Sequence, residues 1–246
     1  MNAEFDHFAT WLATPLGRYV AMSELAWFER AVVDIFGYKA VQLELPQIDC
    51  LRSNRMPWRL QAGEAAGTQL KCSVQALPFD EQSLDLIALP HVLDFCQDPH
   101  AVLRECQRAL RPEGRLLITG FNPWSLWGLR RLKPNSEIPW KGNFVALPKL
   151  KDWLSVLDFQ TLQDEHLCYR PPVQRPGWLE KSRFLDQAGD RLWPAGGGVY
   201  CIAAVKRVRG MHLIEPQWRT ATATATANSA MAIEKLRQQA RKDRCK

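Results

Sequence analysis

No stretch of about 18 consecutive apolar residues occurs in the 246-residue chain, which excludes a membrane-spanning helix as the basis of its function. Its first residues, Met1 to Trp11, mix Glu4, Asp6 and His7 with aromatics. They lack the basic start and apolar centre of a secretory signal, so a cytoplasmic location is expected. The seven cysteines (50, 72, 96, 106, 168, 201 and 245) include no C-x-x-C pair and are odd in number. That scatter excludes a disulfide framework and the ligand spacing of a zinc module, and it fits reduced thiols; no metal is expected.

The body of the chain also lacks an excess of charge of either sign. Net charge is +6, but residues 206–246 hold ten Lys/Arg against three Asp/Glu, or +7. Residues 1–205 are left with 22 basic and 23 acidic side chains. A nucleic-acid footprint over the whole domain is therefore not expected. The basic end follows a Thr/Ala alternation at 220–227, which has no large side chain to bury. Two regions are expected: a globular domain over 1–208 with an N-terminal helical lid, and a low-complexity linker with a basic tail over 209–246. The tail is either a solvated segment or a contact for an anionic partner.

What is present reads as alternating strands and helices. Ser23 is placed to cap a helix carrying Leu25, Phe28, Val32 and Ile35, with Gly37 as its left-handed terminator. Strands are predicted over 39–45, 58–60 and 70–74, and a buried one over 84–89. Asp98-Pro99 opens a helix whose apolar stripe is Val102, Leu103, Cys106, Ala109 and Leu110, and Arg115–Thr119 is the next strand. A further helix over 150–157 and strands over 161–169 and 199–205 complete a doubly wound, mostly parallel α/β sheet of seven strands with helices on both faces.

The centre of the chain carries Leu77-Pro78-Phe79-Asp80, Ser83-Leu84-Asp85-Leu86-Ile87 and His91-Val92-Leu93-Asp94-Phe95. Next come Asp98-Pro99-His100, Leu103-Arg104-Glu105, Arg108-Ala109-Leu110-Arg111-Pro112 and Gly114-Arg115-Leu116-Leu117-Ile118. Over about 45 residues this run resembles the centre of a methyltransferase type 11 domain, of the class I S-adenosylmethionine-dependent methyltransferases. The resemblance implies the Rossmann-like fold, S-adenosyl-L-methionine as cofactor and a small-molecule acceptor. In that family a D-x-G-x-G-x-G turn follows the first strand. Here its positions are held by Gln42, Glu44, Pro46 and Ile48, so no glycine remains and Pro46 has no N–H to donate. The resemblance places the cofactor by Gln42, Glu44, Ser73, Val74 and Leu89, with Ser73 where the family has an adenine-binding Asp. Glu64 is the nearest candidate for the ribose-binding acid.

His91, at the end of the fourth strand, is the candidate catalytic group, with packing or capping as the alternative role. Asp94 reads as a solvated charge at a helix end. Arg18 and Tyr19, in the N-terminal lid, and Asn122, Trp124 and Trp127, in the segment after Thr119, are the candidate acceptor contacts. The Asn122–Arg131 segment either meets a flat, anionic or lipid-like molecule or packs as a lid on its own domain. Two functions follow. One is methyl transfer from S-adenosylmethionine to a small or medium-sized acceptor. The other is a methyltransferase-like binding protein without transfer, using the same cleft or the Trp/Arg segment. The first depends on the cleft staying open around Glu44-Leu45-Pro46-Gln47.

Overall fold

A computed structural model describes residues 2–130, 139–173 and 176–208, with Glu234, Lys235 and Arg237 beyond them. The chain divides into Met1–Val208 and Arg209–Lys246, and the first of these carries the fold below. The Thr/Ala linker and Arg131 lie outside the described residues, as does most of the basic tail.

Two helices come first, α1 (Asn2–Leu12) and α2 (Pro15–Val33). Thr14 caps α2 by accepting the Gly17 N–H, and Pro15 occupies the first helical position, where its missing N–H costs nothing. The predicted start at Ser23 was therefore too late: Ser23 lies inside α2, its hydroxyl bonded to the Tyr19 carbonyl. Gly37 is not left-handed either. A Cβ there would lie 2.5 Å from the Asp85 Cβ, so glycine admits the Asp85 carboxylate, which accepts the Tyr38 and Lys39 N–H groups at 2.8 and 2.9 Å.

The sheet contains β1 (Lys39–Leu43), β2 (Trp58–Gly63), β3 (Leu70–Lys71), β4 (Leu84–Pro90), β5 (Leu110–Phe121), β6 (Phe159–Leu167) and β7 (Val199–Lys206). Their order is β3-β2-β1-β4-β5-β7-β6, parallel throughout except that β7 runs against both β5 and β6. Between β4 and β5 stand α3 (Val92–Phe95) and α4 (Pro99–Ala109), the latter capped by Asp98. After β5 come α5 (Leu126–Arg130) and α6 (Leu147–Val156). The β6–β7 connection holds α7 (Pro176–Lys181), α8 (Phe184–Leu192) and a 3-10 turn, Pro194–Gly196.

Alternation along the buried strands divides the core into two layers. Leu86, Ala88, Leu117 and Phe121 face α1, α2 and the loop after β1. Val41, Leu43, Ile87, Leu89 and Ile118 face α4 and α6. Residues 44–57, which join the parallel strands β1 and β2, contain no helix. A crossover of this length is usually helical, so the helix N-terminus that cradles an anionic or polar ligand in such folds is absent at this point.

Candidate functional site

Glu44 and Leu45, directly after β1, both adopt left-handed backbone at φ 59° and 46°. The turn thus keeps a conformation that glycine adopts freely, at a cost of order 1–3 kcal/mol for each residue with a side chain. The Glu44 carboxylate spans to the end of β2 and accepts the N–H groups of Glu64 and Ala65 at 2.7 and 2.8 Å. Gly63 makes room for it, since a Cβ there would sit 2.5 Å from the carboxyl carbon. Burial raises the Glu44 carboxyl above the usual carboxylate range, and the two N–H bonds oppose that. Beneath it, the Gln42 amide donates to the carbonyls of Leu45 and Ile48 and accepts the Cys50 N–H at 2.9 Å.

These side chains close the crevice. Gln42, Glu44 and Leu45 are fully buried, and Ile48 nearly so. Val74 and Leu89 are equally enclosed, in the opposite core layer. Ser73 is partly exposed, and its hydroxyl accepts the Gln75 N–H at 3.3 Å. Glu64 offers its backbone N–H to Glu44. The expectation of a cleft held open after β1 is thus corrected: its polar groups satisfy one another, and the residues standing there do not fit an adenosyl cofactor as arranged.

At the end of β4, His91 is left-handed (φ 52°) and fully buried. Its Nδ1 lies 2.8 Å from Asp94 Oδ2 and its Nε2 lies 2.7 Å from Glu24 Oε1. Asp94 Oδ2 also accepts the Phe121 N–H at 2.9 Å, and His91 donates its own N–H to the Thr119 carbonyl at 3.1 Å. Asp94 is therefore no solvated helix-end charge; it ties β4 to β5 and is 1% exposed. Burial alone pushes the imidazole pKa down, but Glu24 and Asp94 push harder, and it stands at about 9. A carboxylate oxygen thus faces each ring nitrogen of His91, and the two charges favour the imidazolium. Phe8 and Phe121 pack on the ring at centroid distances of 5.0 and 4.2 Å.

Glu24 was missed in the sequence. It lies on the buried face of α2 with Leu16, Val20, Trp27, Phe28 and Val32. An acid on an apolar stripe was the available signal, since acids are rarely buried without a partner.

The candidate acceptor contacts separate. Arg18 and Tyr19 line a cavity of about 650 Å³ beside α2. The Asn122 amide is spent on the carbonyls of Ala195 and Gly197, which fixes the corner after β5. Trp127 is buried and donates its indole N–H to the Arg170 carbonyl at 2.8 Å, whereas Trp124 is 75% exposed. Arg130 turns inward over Trp140 and donates to the Pro172 carbonyl. The segment after β5 thus packs on its own domain along one side and leaves Trp124, Leu126 and Leu129 in solvent. Among the described residues, no helix is long and apolar enough to cross a membrane, and no three His, Cys, Asp or Glu side chains are grouped to hold a metal.

Comparison with known proteins agrees with this architecture. Residues 40–118 match the family described as "Methyltransferase domain". The chain is 42% identical over 141 residues to the uncharacterized protein YafS of Escherichia coli K12, covering 56% of this chain and 55% of that one. It is 40% identical over 83 residues to the ubiquinone/menaquinone biosynthesis C-methyltransferase UbiE of Hahella chejuensis, covering 32% and 29%. The chain therefore spans about half the length of the first of these relatives and less of the second. Among solved structures, a Thermotoga maritima S-adenosylmethionine-dependent methyltransferase, described as a possible histamine N-methyltransferase, superposes with a TM-score of 0.62 at 15% identity. That match covers 84% of this chain and 98% of that one. The putative methyltransferase from a Haloferax volcanii complex with the activator Trm112 gives a TM-score of 0.58 at 14% identity, covering 85% and 100%. With the strand order above, the chain has the class I methyltransferase fold, and its segment 40–118 matches a methyltransferase domain whose turn after the first strand has lost its glycines.

Proposed function

We propose that this protein is an S-adenosylmethionine-dependent methyltransferase acting on a small or medium-sized acceptor, and that loop 44–50 must part from the end of β2 before cofactor binds. The observation that carries the reading is the methyltransferase-domain match over 40–118, which spans β1 to β5. The left-handed Glu44 and Leu45 support it, because a glycine-type turn persists without its glycines. The cofactor supplies an electrophilic methyl group; the protein's share is to hold an acceptor in line with it, which calls for positioning more than for acids and bases. In this reading Gln42, Glu44, Ser73, Val74 and Leu89 border the cofactor. The acceptor enters between the N-terminal helices and the segment after β5, near Arg18, Tyr19, Asn122, Trp124 and Trp127. His91 serves as a base only once Glu24 withdraws from Nε2.

Parting the loop breaks two hydrogen bonds to a carboxylate, each worth about 1.5–3 kcal/mol. Affinity for the cofactor then falls by roughly two to four powers of ten. The same closure favours a second reading, a methyltransferase-like binding protein without transfer. Calorimetric titration with S-adenosylhomocysteine decides between them. A dissociation constant below about 100 μM, equivalent to about −5.5 kcal/mol, supports the enzyme; no heat at millimolar ligand refutes it and leaves the second reading.

A further inference from the structure

Two cavities, of about 790 and about 650 Å³, lie against α2 and share Tyr19, Ser23 and Asp186. They form one groove, walled on its far side by the end of β6 and by the α7–α8 insertion. Each has the volume of a small-molecule site.

The charges in this groove are unevenly matched. Asp186 accepts from the Tyr19 hydroxyl at 2.5 Å and pairs with Arg170 at 2.8 Å, and the Arg170 guanidinium stacks over the Tyr19 ring at 4.3 Å. At the other end, Asp164 is bridged by Lys151 and Glu165 by Arg30. Among the described residues, the lining carboxylates other than Glu180 are therefore already matched. Two guanidinium groups in the smaller cavity, Arg18 and Arg183, are bridged by no carboxylate among the described residues, so the lining of this end carries a surplus of one positive charge over Glu180. Beside them stand Pro15, an exposed Met22 and the Tyr19–Arg170 stack, an apolar and planar surface already fixed by Asp186.

We propose that this groove binds a small organic anion with a flat apolar body, its carboxylate or phosphate group held by Arg18 and Arg183 and its body against Tyr19, Arg170 and Met22. Guanidinium groups suit both anions, because their N–H forks match paired oxygens. The stack gives the body a preorganised wall, which limits the ordering cost of binding. That this anion is the methyl acceptor rests on the methyltransferase reading; that it binds here does not.

Titration of the full chain, without cofactor, tests the assignment. The probes are benzoate, phenyl phosphate, inorganic phosphate and benzyl alcohol. Benzoate or phenyl phosphate binds, and whichever binds more tightly identifies the anion. Arg18→Ala and Arg183→Ala each weaken that binding about tenfold, or about 1.4 kcal/mol, without moving the thermal midpoint, since both side chains are exposed. Glu180→Gln tightens it about threefold by removing the one unmatched acid. The proposal is overturned if neither organic anion binds at millimolar concentration, if benzyl alcohol or inorganic phosphate binds equally well, or if both arginine variants bind as the parent does. Anion binding that persists when S-adenosylhomocysteine fails to bind removes only the acceptor role.

Discussion

Replacing Glu24 by glutamine keeps the shape of the buried His91 contact and removes one of the two charges that hold the imidazolium. The unfolded imidazole titrates near 6.5 and the folded one at about 9. The folded pKa is the higher, so this contribution to stability is complete below pH 6.5 and is lost as the pH rises through 9. The shift corresponds to about 3 kcal/mol at 1.36 kcal/mol per unit. Without the Glu24 charge, burial opposes Asp94 alone, and the loss across this window shrinks to less than about half. Urea unfolding followed by tryptophan fluorescence at pH 6, 7.5 and 9 measures it. Buried thiols also titrate in the unfolded chain above about 8.5, so the quantity to read is the difference between parent and Glu24→Gln. If the two stability curves run parallel across that range, the charge assignment at His91 is wrong.

Other outcomes follow from the closed turn and the caps. Gly63→Ala forces a methyl group against the Glu44 carboxyl carbon at a position with φ 145°; unfolding free energy falls by about 2 kcal/mol or more, read from urea midpoints. Glu44→Ala strands the Glu64 and Ala65 N–H groups and costs about 1–3 kcal/mol, and it tightens S-adenosylhomocysteine binding in calorimetry if this carboxylate bars the crevice. Asp98→Ala removes the acceptor for the His100 and Ala101 N–H groups and lowers stability by about 1 kcal/mol in the same unfolding assay.

Much of the sheet was legible because its strands are buried on both faces. The run at 199–205 is continuously apolar and that at 84–89 is broken only by Asp85; they are bounded by the glycines at 196–198 and by Pro90, and the observed strands extend one residue further. Asp98-Pro99 located α4 because a cap and a first-turn proline act locally. The start of α2 was misplaced because Ser23 has the cap chemistry of the actual cap, Thr14, and only packing distinguishes them. The strand read over 39–45 ends at Leu43, and residues 46–57 had no periodicity to read, since their order comes from Gln42 and Arg59 bonding to the loop's own carbonyls. The site was less legible than the fold. Glycine loss after β1 was visible, but nothing local told that Glu44 would close on residues twenty positions later. The groove beside α2 joins Tyr19 to Asp186 and Arg170, partners that only the fold brings together.

The central claim is that the turn after β1 opens to admit the cofactor. Backbone amide resonances of Glu64 and Ala65, recorded with and without saturating S-adenosylhomocysteine, test it at the atoms concerned. Release of the Glu44 carboxylate shifts both resonances on binding. Saturation that leaves the two unmoved, or no saturation at any attainable concentration, contradicts the account.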